Sequence, residues 1–194
     1  MLRRVTNMQS RKIGIRKAAH KHKNKGAIVP PSRINKPLLL AQPTQTTIRN
    51  PGFENRTLSP WNPGPPSPFG QIFVTTVTPH SGLQAARMLC VENTVMTLKQ
   101  KISNLKRGRS YQVSMWLRRN VVSTLGQVRV RLGGSPAIYG INAIPMNTYK
   151  QFIDAFQIPG DRGATSFDLE IFLFSSTIGT DITVDDVSIT LLGS

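Results

Sequence analysis

From residue 71 onward the chain repeats one pattern, a short run of alternating apolar and polar residues followed by a cluster of turn formers. The runs are QIFVTTVT (71–78), QAARMLCV (84–91), TVMTLKQKI (94–102), SYQVSMWLR (110–118), QVRVRL (127–132), KQFIDAFQI (150–158), FDLEIFLF (167–174) and ITVDDVSITLL (182–192). Between them lie PHSG, NLKRG, GGSP and IPGDRG, rich in Gly, Pro, Asn and Ser. Runs of this length and period read as strands, and such separators read as turns. About eight strands with no helical periodicity predict an all-β domain over residues 50–194. The natural eight-strand form is a single jelly-roll β-sandwich.

Alternation also assigns faces, because successive side chains of a strand point to opposite sides. In SYQVSMWLR, Tyr111, Val113, Met115 and Leu117 take one side, and Gln112, Ser114, Trp116 and Arg118 the other. In QVRVRL, Val128, Val130 and Leu132 are the core side, leaving Gln127, Arg129 and Arg131 outward. The outward side of these strands is therefore basic and carries an aromatic. GGSP (133–136) reads as a hairpin turn.

Charge separates this domain from what precedes it. The 194 residues carry a net charge of +16, of which residues 1–49 supply +12 without a single Asp or Glu. Residues 1–26 form a basic, acid-free arm predicted to be disordered, and residues 27–49 a Pro-containing linker. Such an arm neutralises phosphates and reads no sequence, since cations on a mobile chain contact the backbone of a nucleic acid. The candidate nucleic-acid-binding residues are Arg3, Arg4, Arg11, Lys12, Arg16, Lys17, Lys21, Lys23 and Lys25. A lysine-heavy composition interrupted by Gly14 and Gly26 argues against an amphipathic mitochondrial presequence.

Several chemistries find no footing. Cys90 is the one cysteine, so no internal disulfide framework exists, and it reads as a small buried apolar residue. His80 has no His or Cys at zinc-ligand spacing. No segment approaches the roughly 20 apolar residues of a membrane span, and PLLLA (37–41) is too short for a secretion signal. No nucleophile elbow, phosphate-cradling glycine loop or HExxH helix is present, and no enzymatic activity is expected. Asp168 and Glu170 share a strand face, but glycoside hydrolysis needs two carboxyls across a cleft. They are equally placed to pair with arginines of neighbouring strands.

NPGFEN…W (50–61), TPHSGLQAARM (78–88), LKQKISNLKRGRSYQVSMWLR (98–118), YKQFIDAFQIP (149–159) and ITVDDVSIT (182–190) together resemble the jelly-roll carbohydrate-binding modules attached to glycanases. The resemblance implies a β-sandwich that binds sugar on a concave face or at loop tips. It also implies a structural calcium near the chain ends, with Glu54 and Asp185 (or Asp186) as ligands, and no other cofactor. Trp116 is then the candidate sugar platform, flanked by Arg118 and Gln127, while Trp61 matches a core position. With two Trp and three Tyr, the chain is sparsely furnished for a neutral-glycan cleft.

A basic arm, a linker and one jelly roll also share the layout of coat proteins of small viruses. Two readings follow. In the first, the chain is a capsid protein of a virion assembled inside the host cell. Its jelly rolls self-associate into a shell, and its arm packages nucleic acid, RNA being the expected one, with no membrane partner. In the alternative, it is a non-catalytic carbohydrate-binding module with a polyanion-binding tail.

Overall fold

The computed structural model describes residues 46–193 apart from Glu92, Thr124 and 176–178. Within these residues the alternation folds into β1 (Asn62–Pro63), β2 (Gly70–Thr75), β3 (Ala85–Cys90), β4 (Val95–Lys106), β5 (Ser110–Arg119), β6 (Gln127–Leu132), β7 (Ala137–Gly140), β8 (Lys150–Gln157), β9 (Ala164–Phe174) and β10 (Thr180–Leu191). All eight expected runs are strands. The two that alternation does not announce are β1, a two-residue bridge containing Pro63, and β7, a short stretch of four residues. The basic arm and the linker up to residue 45 lie outside the described residues.

The strands form two antiparallel five-stranded sheets. The first has the order β1-β4-β9-β6-β7 and the second β2-β3-β10-β5-β8. Their inner faces meet in one hydrophobic core. Leu98, Ile102, Val128, Val130, Leu169, Ile171 and Leu173 come from the first sheet; Met88, Val113, Met115, Leu117, Ile182 and Val184 come from the second. The faces assigned by alternation to β5 and β6 are the faces found, with every inward residue no more than 1% exposed. β6 and β7 are joined through 133–136 as the expected hairpin. Cys90 and Trp61 are both core residues.

Two polar side chains on the inner faces, Tyr111 and Gln100, are satisfied. The Tyr111 hydroxyl accepts the Lys106 N–H at 2.9 Å, beside the irregularity in β4 between Ile102 and Leu105. Gln100 occupies an inward position of β4 and is 2% exposed. Its Oε1 accepts the Arg49 N–H at 2.8 Å, and its Nε2 donates to the Arg49 carbonyl at 2.8 Å. One buried amide thus ties the segment before residue 50 to the first sheet. Ile48 packs on the core, and the Thr46 hydroxyl donates to the Asn104 carbonyl at 3.0 Å. The last residues of the expected linker are therefore part of the folded body.

Replacing that amide by an apolar side chain of similar size would leave both Arg49 backbone groups without their side-chain partner. Arg49 is itself exposed, so water can take up these groups and the loss is the net worth of two hydrogen bonds, about 1–3 kcal/mol together. Gln100→Leu is expected to lower the stability measured by urea denaturation by that amount; an unchanged midpoint would contradict the tie.

Candidate functional site

The two sheets present very different outer faces. On the second, Asp185 of β10 stands opposite Trp116 of β5, and Thr183 opposite Arg118. The segment 76–84 between β2 and β3 lies over part of this face, and Trp116 and Arg118 stay partly exposed beside it. Asp185 is fully buried: its Oδ2 accepts the His80 and Ser81 N–H groups at 2.8 and 3.2 Å, and its Oδ1 accepts the Asp186 N–H at 2.8 Å. A register shift between Asp185 and Ser188 puts Asp186 at φ 46°, a bulge that lets two consecutive carboxylates reach the same segment. Asp186 bonds the His80 Nδ1 at 2.7 Å and accepts the Ser81 hydroxyl at 2.8 Å.

Aromatic packing completes this clamp. The His80 ring stacks on Trp116, with centroids 3.9 Å apart and planes 16° apart, and Tyr149 meets His80 edge-on at 5.2 Å. The Tyr149 hydroxyl donates to the Thr78 carbonyl at 2.9 Å. Burial, followed by the negative charge of Asp185, pushes that phenol up to about 12, so it remains a donor. Arg118 bonds the Thr78 hydroxyl and, at 3.3 Å, the Asn147 carbonyl oxygen Oδ1. Glu54 holds the far end, its Oε1 accepting the Leu83 and Gln84 N–H groups at 2.9 and 3.0 Å. Gly82 is required there: its φ is +60°, and a Cβ would lie 2.3 Å from that same oxygen.

The first sheet carries a different arrangement. Its register lines up Val95, Phe174 and Gln127 in one row, Thr97, Phe172 and Arg129 in the next, and Lys99, Glu170 and Arg131 in a third. Ile171 and Leu173 are buried, so Phe172 and Phe174 must face outward, and both are half-buried. Their rings are 6.1 Å apart on the central strand. The Arg129 guanidinium lies 4.2 Å over Phe174 and that of Arg131 5.3 Å over Phe172. Oriented to satisfy both groups, the Gln127 amide oxygen accepts from Arg129 Nε at 3.2 Å and Nη2 at 2.6 Å. Arg131 pairs with Glu170 at 2.6 Å, and Lys99 with Asp168 at 3.4 Å. The DLE carboxylates thus pair across strands, one with an arginine and one with a lysine. Beside Phe174 and Gln127 lies a depression of about 470 Å³ reaching Asn93 and Gly126.

Trp116, Arg118 and Gln127, the residues expected to flank one sugar, are not brought together. Trp116 and Arg118 belong to the outer face of the second sheet and Gln127 to that of the first. Alternation says which side of a strand faces the core, but two sheets have two outer faces that read alike. Trp116 seats a loop through His80. Glu54 and Asp185, the expected calcium ligands, accept N–H groups of the same segment. Among the described residues no group of three or more His, Cys, Asp or Glu side chains is placed to hold a metal ion. The nine arm residues from Arg3 to Lys25 lie outside the described residues. The features that sequence reading missed are Phe172 and Phe174, hidden in the near-continuous apolar run IFLF.

The clamp has a measurable signature. Burial lifts the Asp185 carboxyl from 3.8 to about 6, although the N–H donors of Asp186, His80 and Ser81 oppose the rise. A carboxyl whose folded value lies above its unfolded value favours folding while protonated. That contribution is lost as pH climbs from about 4 to about 6, up to about 3 kcal/mol at 1.36 kcal/mol per unit. The wild-type chain is expected to lose stability over that window relative to Asp185→Asn in denaturant titrations at successive pH values. Parallel curves would contradict the burial of a carboxylate here.

Comparison with known proteins bears on the same geometry. A sequence model described as a carbohydrate binding domain matches residues 45–177, and no curated protein matches the chain. Among solved structures, TmCBM61 in complex with β-1,4-galactotriose is similar at a TM-score of 0.55 and 17% identity, over 77% of this chain and 100% of that one. The Stig cyclase Fisc from Fischerella sp. TAU has a TM-score of 0.60 and 16% identity, over 77% and 98%. The enzymatically active domain of tailspike protein 4 from bacteriophage CBA120 has 0.58 and 16%, over 78% of this chain but only 22% of that one. Identities this low show a shared fold and no more. The sequence match is more specific, and it backs the sugar-module reading over the coat-protein reading. Spanning most of both sheets, it makes the chain a member of the carbohydrate-binding domain family.

Proposed function

We propose that the chain is a non-catalytic glycan-binding module whose ligand lies on the outer face of the first sheet. The observation that carries this reading is the pair Phe172 and Phe174 on the central strand, set among Arg129, Arg131 and Gln127 beside a depression of about 470 Å³. Sugar recognition needs apolar ring surface with a few fixed polar groups around it, in a concavity of a few hundred Å³. The first sheet supplies both. The second sheet has the larger aromatic, Trp116, but commits its ring to His80. Family membership supports binding without chemistry.

A second reading concerns residues 1–49 and rests on their charge of +12. In it the arm holds polyanion, as a nucleic-acid-packaging coat protein would. Its cations would release counterions from single-stranded RNA, and affinity would fall with log salt by roughly 0.7 per phosphate contacted.

A glycan array probed with the full chain tests the main reading. Binding is expected to fall about tenfold or more in the double variant Phe172→Ala/Phe174→Ala, the loss typical of central anchor residues, and to survive Trp116→Ala. Dependence on Trp116 alone would move the site to the other sheet. For the arm, RNA binding at low salt is expected to vanish when its nine cations become Gln; a chain indifferent to RNA from the start would end that reading.

A further inference from the structure

The charges on the outer face of the first sheet are not all spoken for. Lys99 is paired with Asp168 and Arg131 with Glu170, whereas among the described residues Arg129 pairs with no carboxylate. Its guanidinium is nevertheless held in place from two directions. Phe174 lies beneath it at 4.2 Å, and the Gln127 amide oxygen takes the Nε–Nη2 edge. The Nη1–Nη2 edge is left without a hydrogen bond among the described residues. A planar fork fixed in this way has the geometry that receives a carboxylate through two parallel N–H···O bonds, and little side-chain freedom remains to be lost on binding. Gln127 and Phe174, the two groups that fix it, also line the depression of about 470 Å³.

We infer that this face selects acidic sugars, and that a hexuronate carboxylate is received by Arg129 while the pyranose packs on the Phe172–Phe174 strip. The inference rests on the glycan-binding reading above and sharpens its substrate class. Three features converge on it. Among the described residues the face carries Lys99, Lys101, Arg129 and Arg131 against Asp168 and Glu170. The folded portion from residue 50 is itself net positive, at +4, which raises the local concentration of an anionic chain. Each partly exposed phenylalanine ring carries an arginine over it, so apolar surface and positive charge are presented side by side.

Calorimetry on the full chain with matched ligands tests this. The probes are α-1,4-linked oligogalacturonate and an oligoglucuronate, each with its fully methyl-esterified form, which keeps the sugar chain and removes the charge. At low salt the acid of at least one pair is expected to bind tenfold or more tighter than its ester, with the advantage shrinking as ionic strength rises. Arg129→Gln should erase the advantage and leave binding at the level of the ester. Lys150→Gln, which removes a cation of the second sheet, should preserve the advantage and so controls for general loss of charge. Phe174→Ala, which removes both apolar surface and the ring beneath Arg129, should weaken the ester and weaken the acid more. Equal affinity for acid and ester, or an acid preference that survives Arg129→Gln, would overturn the acidic-sugar inference while leaving a neutral-glycan module standing. Absence of binding to these probes and to every glycan on the array would remove the reading beneath it. Tighter binding of an oligouridylate through the same phenylalanines would reassign the face to nucleic acid.

Discussion

Leu98, Val130, Leu169, Ile171 and Leu173 of one sheet are buried against Met88, Val113, Met115, Leu117, Ile182 and Val184 of the other, and this contact organises the rest of the molecule. Burial of apolar surface supplies most of the driving force for a sandwich of this kind. It also imposes a constraint. A strand with period two cannot bury Leu169, Ile171 and Leu173 without turning the residues between and beside them outward, here Glu170, Phe172 and Phe174. The surface chemistry of both sheets is thus fixed by the core before any ligand is considered.

The two outer faces use this differently. The second sheet lays the segment 76–84 over its central strands and ties several of their outward groups to it or to neighbouring loops. Trp116 stacks on His80, Arg118 reaches Thr78 and Asn147, and Asp185 is buried among backbone N–H donors. Burying that carboxylate carries a cost, visible in its raised proton affinity. The first sheet leaves its aromatic strip and its fixed arginine on the surface, a preformed arrangement that needs no loop to move before a ligand arrives.

Much of the fold is legible in the chain. The eight runs, the inward sides of β5 and β6, the hairpin at 133–136 and the core placement of Trp61 all follow from period two, turn chemistry and the family resemblance. β1 and β7 are not legible, since two- and four-residue strands carry no period. The site is less legible for a specific reason. Trp116, Arg118 and Gln127 are all outward, and the pattern cannot say that β5, which carries the first two, and β6, which carries the third, lie in opposite sheets. IFLF is apolar throughout, so its outward phenylalanines are invisible until Ile171 and Leu173 are seen in the core. Nor does the sequence show that His80, far from Trp116 in the chain, lies flat upon it.

Each sheet carries its own reporters, so chemical-shift mapping with the tightest-binding oligosaccharide separates the two faces in a single titration. Ligand held on the first sheet predicts shifts along Phe172, Phe174, Gln127 and Arg129, with the indole resonances of Trp116 on the second sheet and Trp61 in the core unmoved. Shifts centred on Trp116, His80 and Tyr149, with the first sheet silent, would contradict it.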